Sequence, residues 1–129
     1  MSRYIAFLRA INVGGHNVKM DYLTQLFEEM DFTYVETFIA SGNVIFDSNA
    51  TNLVSLEQKI AKPLHKELGY EVATFIRTPI ELAAIAAYQP FPQAAFDSAA
   101  AFNIALLGEV PSAAAAQKLM ALKNAIDDF

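Results

Sequence analysis

The chain has 129 residues and a net charge of −5, with 54% hydrophobic and 18% charged residues. This balance is typical of a folded globular protein, and the length is sufficient for one hydrophobic core. The absence of cysteine excludes disulfides, thiolate catalysis and sulfur-ligated metal sites. The two histidines, His16 and His65, lie too far apart to form a metal-spaced motif, so we expect no metal site. The sequence identifies no cofactor.

The hydropathy and the charge distribution indicate which classes of partner the chain is expected to bind. No apolar run reaches the ~18 residues of a membrane span, and the N-terminus lacks the long apolar region of a signal peptide. We therefore expect a cytoplasmic protein that does not bind membranes. The acidic balance argues against nonspecific nucleic-acid binding. The first twenty residues are an exception, because they contain Arg3, Arg9 and Lys19 and no acid, as a site for a small anion would require.

The first half of the chain predicts a strand, a helix and a hairpin. Residues 3–8 alternate in the manner of a strand. The apolar residues from Met20 to Met30 recur at helical spacing. Residues 34–40 and 44–46 are rich in β-branched and aromatic side chains, and they flank the turn Ser41-Gly42-Asn43. A turn with glycine between two such runs indicates a β-hairpin.

A second helix and a further strand follow. The helix is predicted over about residues 52–68, with a kink or break at Pro63, because proline removes one helical hydrogen bond. Residues 71–77 then predict a strand. The strand ends at Thr78-Pro79-Ile80-Glu81, a capping box with proline at the first helical position. A third helix should therefore run from there to about Tyr88.

The last third of the chain has weaker patterns. Residues 93–100 are expected to form a loop and residues 101–107 a strand. Ser112 is expected to cap a last helix, whose apolar stripe contains Leu119, Leu122 and Ile126.

The order of these elements predicts the fold class. Through residue 77 the order is βαββαβ, the ferredoxin-like arrangement, whose strand order is 4-1-3-2. The remaining αβα segment is the pattern of an incomplete second ferredoxin-like unit. We therefore expect an α+β fold, with a ferredoxin-like subdomain at residues 1–77 and a partial α/β subdomain at residues 78–129 packed on it.

The loop between the first strand and the first helix is the candidate site. In this topology the loop and the Ser41-Gly42-Asn43 turn lie at the same end of the sheet. The loop is longer than the 2–6 residues usual for such connections. Gly14 and Gly15 permit close ligand approach, and amides near a helix start can bind an anion. The side chains expected to face a shared pocket beside these glycines are those of Arg9, Asn12, His16, Lys19, Ser41 and Asn43.

Binding of a small anion, a phosphate or a carboxylate, is the first functional hypothesis. A helix dipole contributes only about 0.3–1 kcal/mol, so Arg9 and Lys19 would supply most of the affinity. The loop has neither of the glycine patterns that mark nucleotide sites. The alternative is a purely structural role for the loop, with hydrogen bonds that connect it to the hairpin.

Two further hypotheses remain open. One is a noncatalytic protein–protein assembly module, which includes a homo-oligomer. The other is RNA binding on the sheet face through Tyr4, Phe7 and Phe46, which the acidic balance disfavours. No complete catalytic constellation is present, so the sequence does not decide whether the protein is an enzyme.

The sequence resembles a bacterial family, the domain of unknown function 1697. The resemblance lies in Phe7 to Gly15, in Val18-Lys19-Met20, and in Ser41 to Phe46, with a weaker match at Pro90-Phe91-Pro92. Ala10 stands where many members have glycine. The resemblance implies an α+β protein with ferredoxin-like subdomains and no established reaction. Since members usually continue beyond the last helix of this chain, the resemblance also implies a member truncated at its C-terminus.

Overall fold

The computed structural model describes residues 1–129. The strands are β1 (Ser2–Leu8), β2 (Thr33–Phe38), β3 (Asn43–Ser48) and β4 (Thr74–Arg77). The helices are α1 (Met20–Glu29), α2 (Leu53–Leu68), α3 (Pro79–Ala87), α4 (Gln93–Ser98) and α5 (Ala113–Met120). The chain forms two compact units, Met1–Ala99 and Ala100–Phe129. None of the helices has the length and apolar character needed to cross a bilayer.

The four strands form one antiparallel sheet in the order β2-β3-β1-β4. This order confirms the predicted 4-1-3-2 arrangement. Successive side chains of a strand point to opposite faces of a sheet. Accordingly, Tyr4, Ala6 and Leu8 of β1 are buried, while the residues between them are only half-buried. β1 is a central strand, and β4 is an edge strand beside it.

One cluster of buried side chains joins this face of the sheet to α1 and α2. Each helix contributes three buried residues at helical spacing: Leu23, Leu26 and Phe27 from α1, and Leu56, Ile60 and Leu64 from α2. Phe46 of β3 packs among aromatic rings in this cluster, and its centroid lies 4.6 Å from that of Phe32. Tyr4 and Phe46 are therefore core residues. They are not available to stack RNA bases, so the RNA hypothesis loses two of its three aromatics.

The second helix is not broken at Pro63, contrary to the expectation. α2 runs without interruption from Leu53 to Leu68. Proline removes only the hydrogen bond to the carbonyl of Lys59, and buried residues on both sides of Pro63 keep the helix on the sheet. Gly69 ends the helix with a left-handed backbone, the conformation that favours glycine at this position.

The predicted start of the third helix is confirmed. Thr78 Oγ1 accepts a hydrogen bond from the Glu81 amide at 3.1 Å, and Glu81 Oε1 accepts one from the Thr78 amide at 2.9 Å. α3 contacts β1. The division between the compact units lies after Ala99, whereas the sequence predicted a domain boundary after Arg77.

The αβα order expected after Arg77 is wrong, because no strand forms beyond β4. Residues 101–107 are irregular. A strand needs a neighbour for its backbone N–H and C=O groups, and the unit Ala100–Phe129 contains no strand to pair with them.

One additional helix and one helix boundary also differ from the sequence prediction. The expected loop at 93–100 contains α4, since its alanines favour a helix and Gln93 Nε2 donates to Asp97 Oδ1 at 2.9 Å. α5 begins after its Ser112 cap as predicted but ends at Met120, so the expected stripe residues Leu122 and Ile126 lie beyond it.

Candidate functional site

The loop from Arg9 to Lys19, called the glycine loop below, lies against the turn between β2 and β3. The amide of Leu8 donates to the carbonyl of Gly42 at 3.0 Å. Asn12 Nδ2 donates to the carbonyl of Ala40 at 2.7 Å, and Asn12 Oδ1 accepts from the amide of Val18 at 2.7 Å. Asn12 therefore connects the turn to both ends of the glycine loop, and its amide oxygen and nitrogen are both bonded to the backbone.

The polar side chains of the turn bond within the hairpin. Asn43 Nδ2 donates to Ser41 Oγ at 3.0 Å and to the carbonyl of Phe38 at 3.2 Å. These bonds close the four-residue connection between the strands. Ser41 and Asn43 thus stabilise the hairpin in the structure.

The tip of the glycine loop is exposed and has few contacts. Gly14 and Gly15 have positive φ and no atoms within 4 Å of an added Cβ. Lys19 is exposed at the N-cap position of α1 and makes no capping hydrogen bond with its side chain. His16 is an exception, because its ring stacks on that of Tyr70 with centroids 3.8 Å apart.

Tyr70 follows α2 directly and anchors this side of the loop. Its hydroxyl oxygen is buried without a hydrogen-bond partner. Burial disfavours the phenolate and raises the pKa of Tyr70. The stack with His16 therefore joins the loop to the end of α2 through ring contact alone.

Arg9 lies on the other side of β1 from the hairpin. Its amide donates to the carbonyl of Ala73 at 2.9 Å, which connects it to the β4 side of the sheet. Arg9 also lines a cavity of about 490 Å³ between α2 and the segment that leads into β4. We call this the Arg9 cavity. Its lining consists of Arg9, Ala10, Glu57, Gln58, Ala61, Lys62, His65, Glu71, Val72, Ala73 and Thr74.

The α2 part of this lining follows from helical periodicity. Residues three to four positions apart share a helix face, which places Glu57, Ala61 and His65 on one side of α2. This face borders the buried stripe that holds α2 on the sheet. The helix therefore brings Lys62 and His65 to the same cavity as Arg9 although they are more than fifty residues away in sequence.

The cavity lining contains two cationic residues, Arg9 and Lys62, together with His65 and the carboxylates Glu57 and Glu71. The side chains of Arg9, Lys62 and His65 take part in no ion pair or hydrogen bond. Of the two carboxylates, Glu57 accepts a hydrogen bond from the amide of Ile76 at 3.3 Å, while Glu71 is exposed and unpaired. An incoming carboxylate or phosphate would find guanidinium and ammonium donors that need no prior separation from an acid.

The residues predicted to share one pocket thus lie in three different places in the structure. Of the eight predicted residues, only Arg9 lines the cavity. Asn12, Ser41 and Asn43 form the joint between loop and hairpin, and the remaining four lie on the exposed part of the glycine loop. Sequence reasoning missed Lys62 and gave His65 no role. The signal that would have found them is the polar stripe of α2 next to its apolar one.

Comparison with known proteins identifies the family of the chain. The family described as "protein of unknown function (DUF1697)" matches residues 1–129. The chain belongs to this family. Among solved structures, the conserved bacterial protein SP0830 from Streptococcus pneumoniae is similar, with 27% sequence identity and a TM-score of 0.62. The match covers 70% of this chain and 49% of that chain, so this chain spans about half the length of that protein. The comparison with curated proteins gives no match.

Proposed function

We propose that the chain binds a small anionic ligand in the Arg9 cavity, on a ferredoxin-like βαββαβ unit formed by its first half. The observation that carries this proposal is that two cationic residues, Arg9 and Lys62, line one cavity together with His65, and none of the three takes part in an ion pair. The strand order β2-β3-β1-β4 supports the ferredoxin-like assignment.

Arg9 is the residue best suited to anchor the ligand. Its planar guanidinium can donate two parallel hydrogen bonds to one carboxylate or phosphate. A hydrogen bond to a charged group contributes about 1.5–3 kcal/mol. Glu71 in the same lining repels a second negative charge, so a monoanion fits this cavity better than a dianion.

The glycine loop and the hairpin then have a supporting role. Asn12, Ser41 and Asn43 fix the position at which the chain leaves β1, and Arg9 is the first residue after that strand. Gly14, Gly15, His16 and Lys19 belong to the same loop without lining the cavity. In this proposal they do not contact the ligand.

A titration with acetate and with inorganic phosphate tests the site. Amide chemical shifts around the cavity should move saturably, and the Arg9→Ala variant should bind at least ~10-fold more weakly, which corresponds to about 1.4 kcal/mol. Lys66→Ala is the matched control, because Lys66 is on α2 but does not line the cavity. The proposal is wrong if Arg9→Ala and Lys66→Ala titrate alike.

Protein–protein assembly through the hairpin is the second candidate. Phe38 and Ile39 are each 62% exposed at the hairpin end, and Val13 of the neighbouring loop is 57% exposed. Ile39 also has a φ of 54°, which a β-branched residue rarely adopts. Exposed apolar side chains at one end of the sheet favour an interface. A chain that sediments as a monomer at millimolar concentration, with no change on Phe38→Ser, would exclude a homo-oligomer at this surface.

A further inference from the structure

We propose that the anion bound at Arg9 is the C-terminal carboxylate of an extended peptide, which pairs as an added strand with the open edge of β4. This inference rests on the proposed anion site and names the class of its ligand. Its two parts are an unpaired backbone edge and a cluster of cations at one end of that edge.

The edge follows from the strand register. β4 pairs with β1 alone, with Leu8 opposite Thr74 and Phe7 opposite Phe75. The residues of an antiparallel strand direct their backbone N–H and C=O groups alternately to one side and to the other. Since Arg9 bonds to Ala73, the backbone groups of Thr74 point away from β1. Unpaired edge groups of this kind are a template for another strand.

Ile76 is the next residue of β4 whose backbone groups point away from β1, and both of these groups already have hydrogen-bond partners. Its amide donates to Glu57 Oε1 at 3.3 Å, and its carbonyl accepts from Arg77 Nη1 at 2.8 Å. The backbone N–H and C=O of Thr74 have no such partners. Thr74 is only 9% exposed and is part of the cavity lining, so a peptide would reach it through the cavity. The open edge is therefore short, and it can pair with only the last two or three residues of a peptide.

The position of Arg9 sets the direction of the added strand. Arg9 lies opposite Ala73, at the end of β4 where the strand begins. A peptide antiparallel to β4 runs toward that end, so its terminal carboxylate arrives beside Arg9, Lys62 and His65. A parallel peptide would instead place its ammonium group there, beside the cationic Arg9 and Lys62. The charges therefore favour the antiparallel orientation.

This arrangement recognises main-chain groups rather than a particular side chain. Strand addition supplies affinity through backbone hydrogen bonds, and capture of the carboxylate restricts binding to a chain terminus. Glu71, which disfavours dianions, is compatible with the single charge of a peptide carboxylate. The ligand class is thus a short free C-terminus in extended conformation.

Amide chemical-shift titration with tri-alanine tests the inference in the intact chain. We expect tri-alanine to bind at least ~10-fold more tightly than acetate, with a downfield shift of the Thr74 amide proton as it gains an acceptor. The C-terminally amidated peptide should lose this gain, and so should Arg9→Ala. Lys66→Ala should bind as the unchanged chain does.

N-methylation of tri-alanine separates strand pairing from carboxylate capture. Because strand hydrogen bonds alternate along the chain, methylation of one peptide nitrogen should weaken binding to the level of acetate, while methylation of the other should be tolerated. Equal tolerance at both nitrogens overturns the added strand. Tri-alanine binding no tighter than acetate overturns the peptide ligand and leaves the anion site standing. Absence of binding by acetate, phosphate and tri-alanine overturns both proposals.

Discussion

Gly42→Ala is expected to destabilise the protein more than alanine at any glycine of the glycine loop. Gly42 is buried at the hairpin with a φ of +92°, where an added Cβ would lie 2.8 Å from Ile11 Cβ and 2.9 Å from Ile11 Cγ1. Real Cβ contacts are longer, so one of the two segments must move. Ile11 is only 1% exposed, and its branched side chain has few alternative rotamers. Ile11 therefore cannot move away from the added Cβ at low energetic cost.

The expected magnitude has two parts. A left-handed backbone costs an L-residue about 1–2 kcal/mol, and insertion of a methyl group into a packed core costs about 1–3 kcal/mol more. Gly42→Ala should thus lower the free energy of unfolding by roughly 2–5 kcal/mol, out of the roughly 5–15 kcal/mol typical of a domain. Gly14→Ala is the matched control, since Gly14 has a φ of +59° but no atom within 4 Å of an added Cβ. It should lose only the backbone part.

Urea unfolding followed by circular dichroism measures these differences as shifts of the midpoint at constant m. A double-mutant cycle with Ile11→Ala measures the part of the clash that is due to Cγ1 at 2.9 Å and Cγ2 at 3.2 Å, because that change removes both atoms and leaves Cβ in place. In the Ile11→Ala background, Gly42→Ala should cost at least ~1 kcal/mol less than in the unchanged chain. Equal midpoint shifts for Gly42→Ala and Gly14→Ala, or a cycle without coupling, would refute the reasoning.

Three further predictions concern neighbouring residues. Ala10 has a φ of 63°, so Ala10→Gly should be neutral or stabilise by up to about 1 kcal/mol after glycine's entropy is counted; a lower urea midpoint would contradict this. Asn12→Ala removes two hydrogen bonds of 2.7 Å and should destabilise by about 1–3 kcal/mol, with faster amide exchange at Val18. Asn17→Ala, which removes no hydrogen bond, should leave both quantities unchanged. Burial raises the folded-state pKa of Tyr70 above the ordinary 10.0. Its contribution to stability is therefore present below pH 10 and is lost as pH rises through the folded pKa. Tyr70→Phe should reduce that loss, and an identical pH dependence of the urea midpoint in both proteins would contradict this prediction.

The first 77 residues could be predicted well because local and long-range signals agree there. The alternation in β1 and the helical spacing in α1 and α2 each identify one buried face. The Thr78 capping box locates the start of α3 to the residue. With four strands and two intervening helices in this order, few topologies are available, and the observed strand order is the expected one.

The last third could not be predicted in the same way, because its elements depend on partners that the pattern does not specify. Residues 101–107 have the composition of a strand, but strand formation is decided by pairing and packing rather than by intrinsic preference. No neighbouring strand is present in that compact unit, and the segment is irregular. The alanines at 94 and 95 form part of α4 because an intrinsic helix preference needs no distant partner.

At the candidate site the predicted topology is correct, but the predicted side chains do not share one pocket. The reason is that consecutive residues at the end of β1 bond to different neighbouring strands. The topology placed the glycine loop at the hairpin end of the sheet, and the hydrogen bond from Asn12 to Ala40 is there. However, successive backbone amides at the end of β1 point to opposite neighbours. Leu8 bonds to Gly42 on the β3 side, whereas Arg9 bonds to Ala73 on the β4 side.

That alternation bonds the Arg9 backbone to the β4 side of the sheet, where Arg9 lines the cavity together with residues of α2. Strand order can be deduced from the sequence pattern, but the register that pairs Leu8 with Thr74 depends on how the sheet packs under the helices. A slip of one residue between β1 and β4 would turn the outward backbone groups of Thr74 inward. It would also move Arg9 from its place opposite Ala73. The cation cluster and the open strand edge therefore exist together only in the observed register, which makes this register the structural basis of the proposed site.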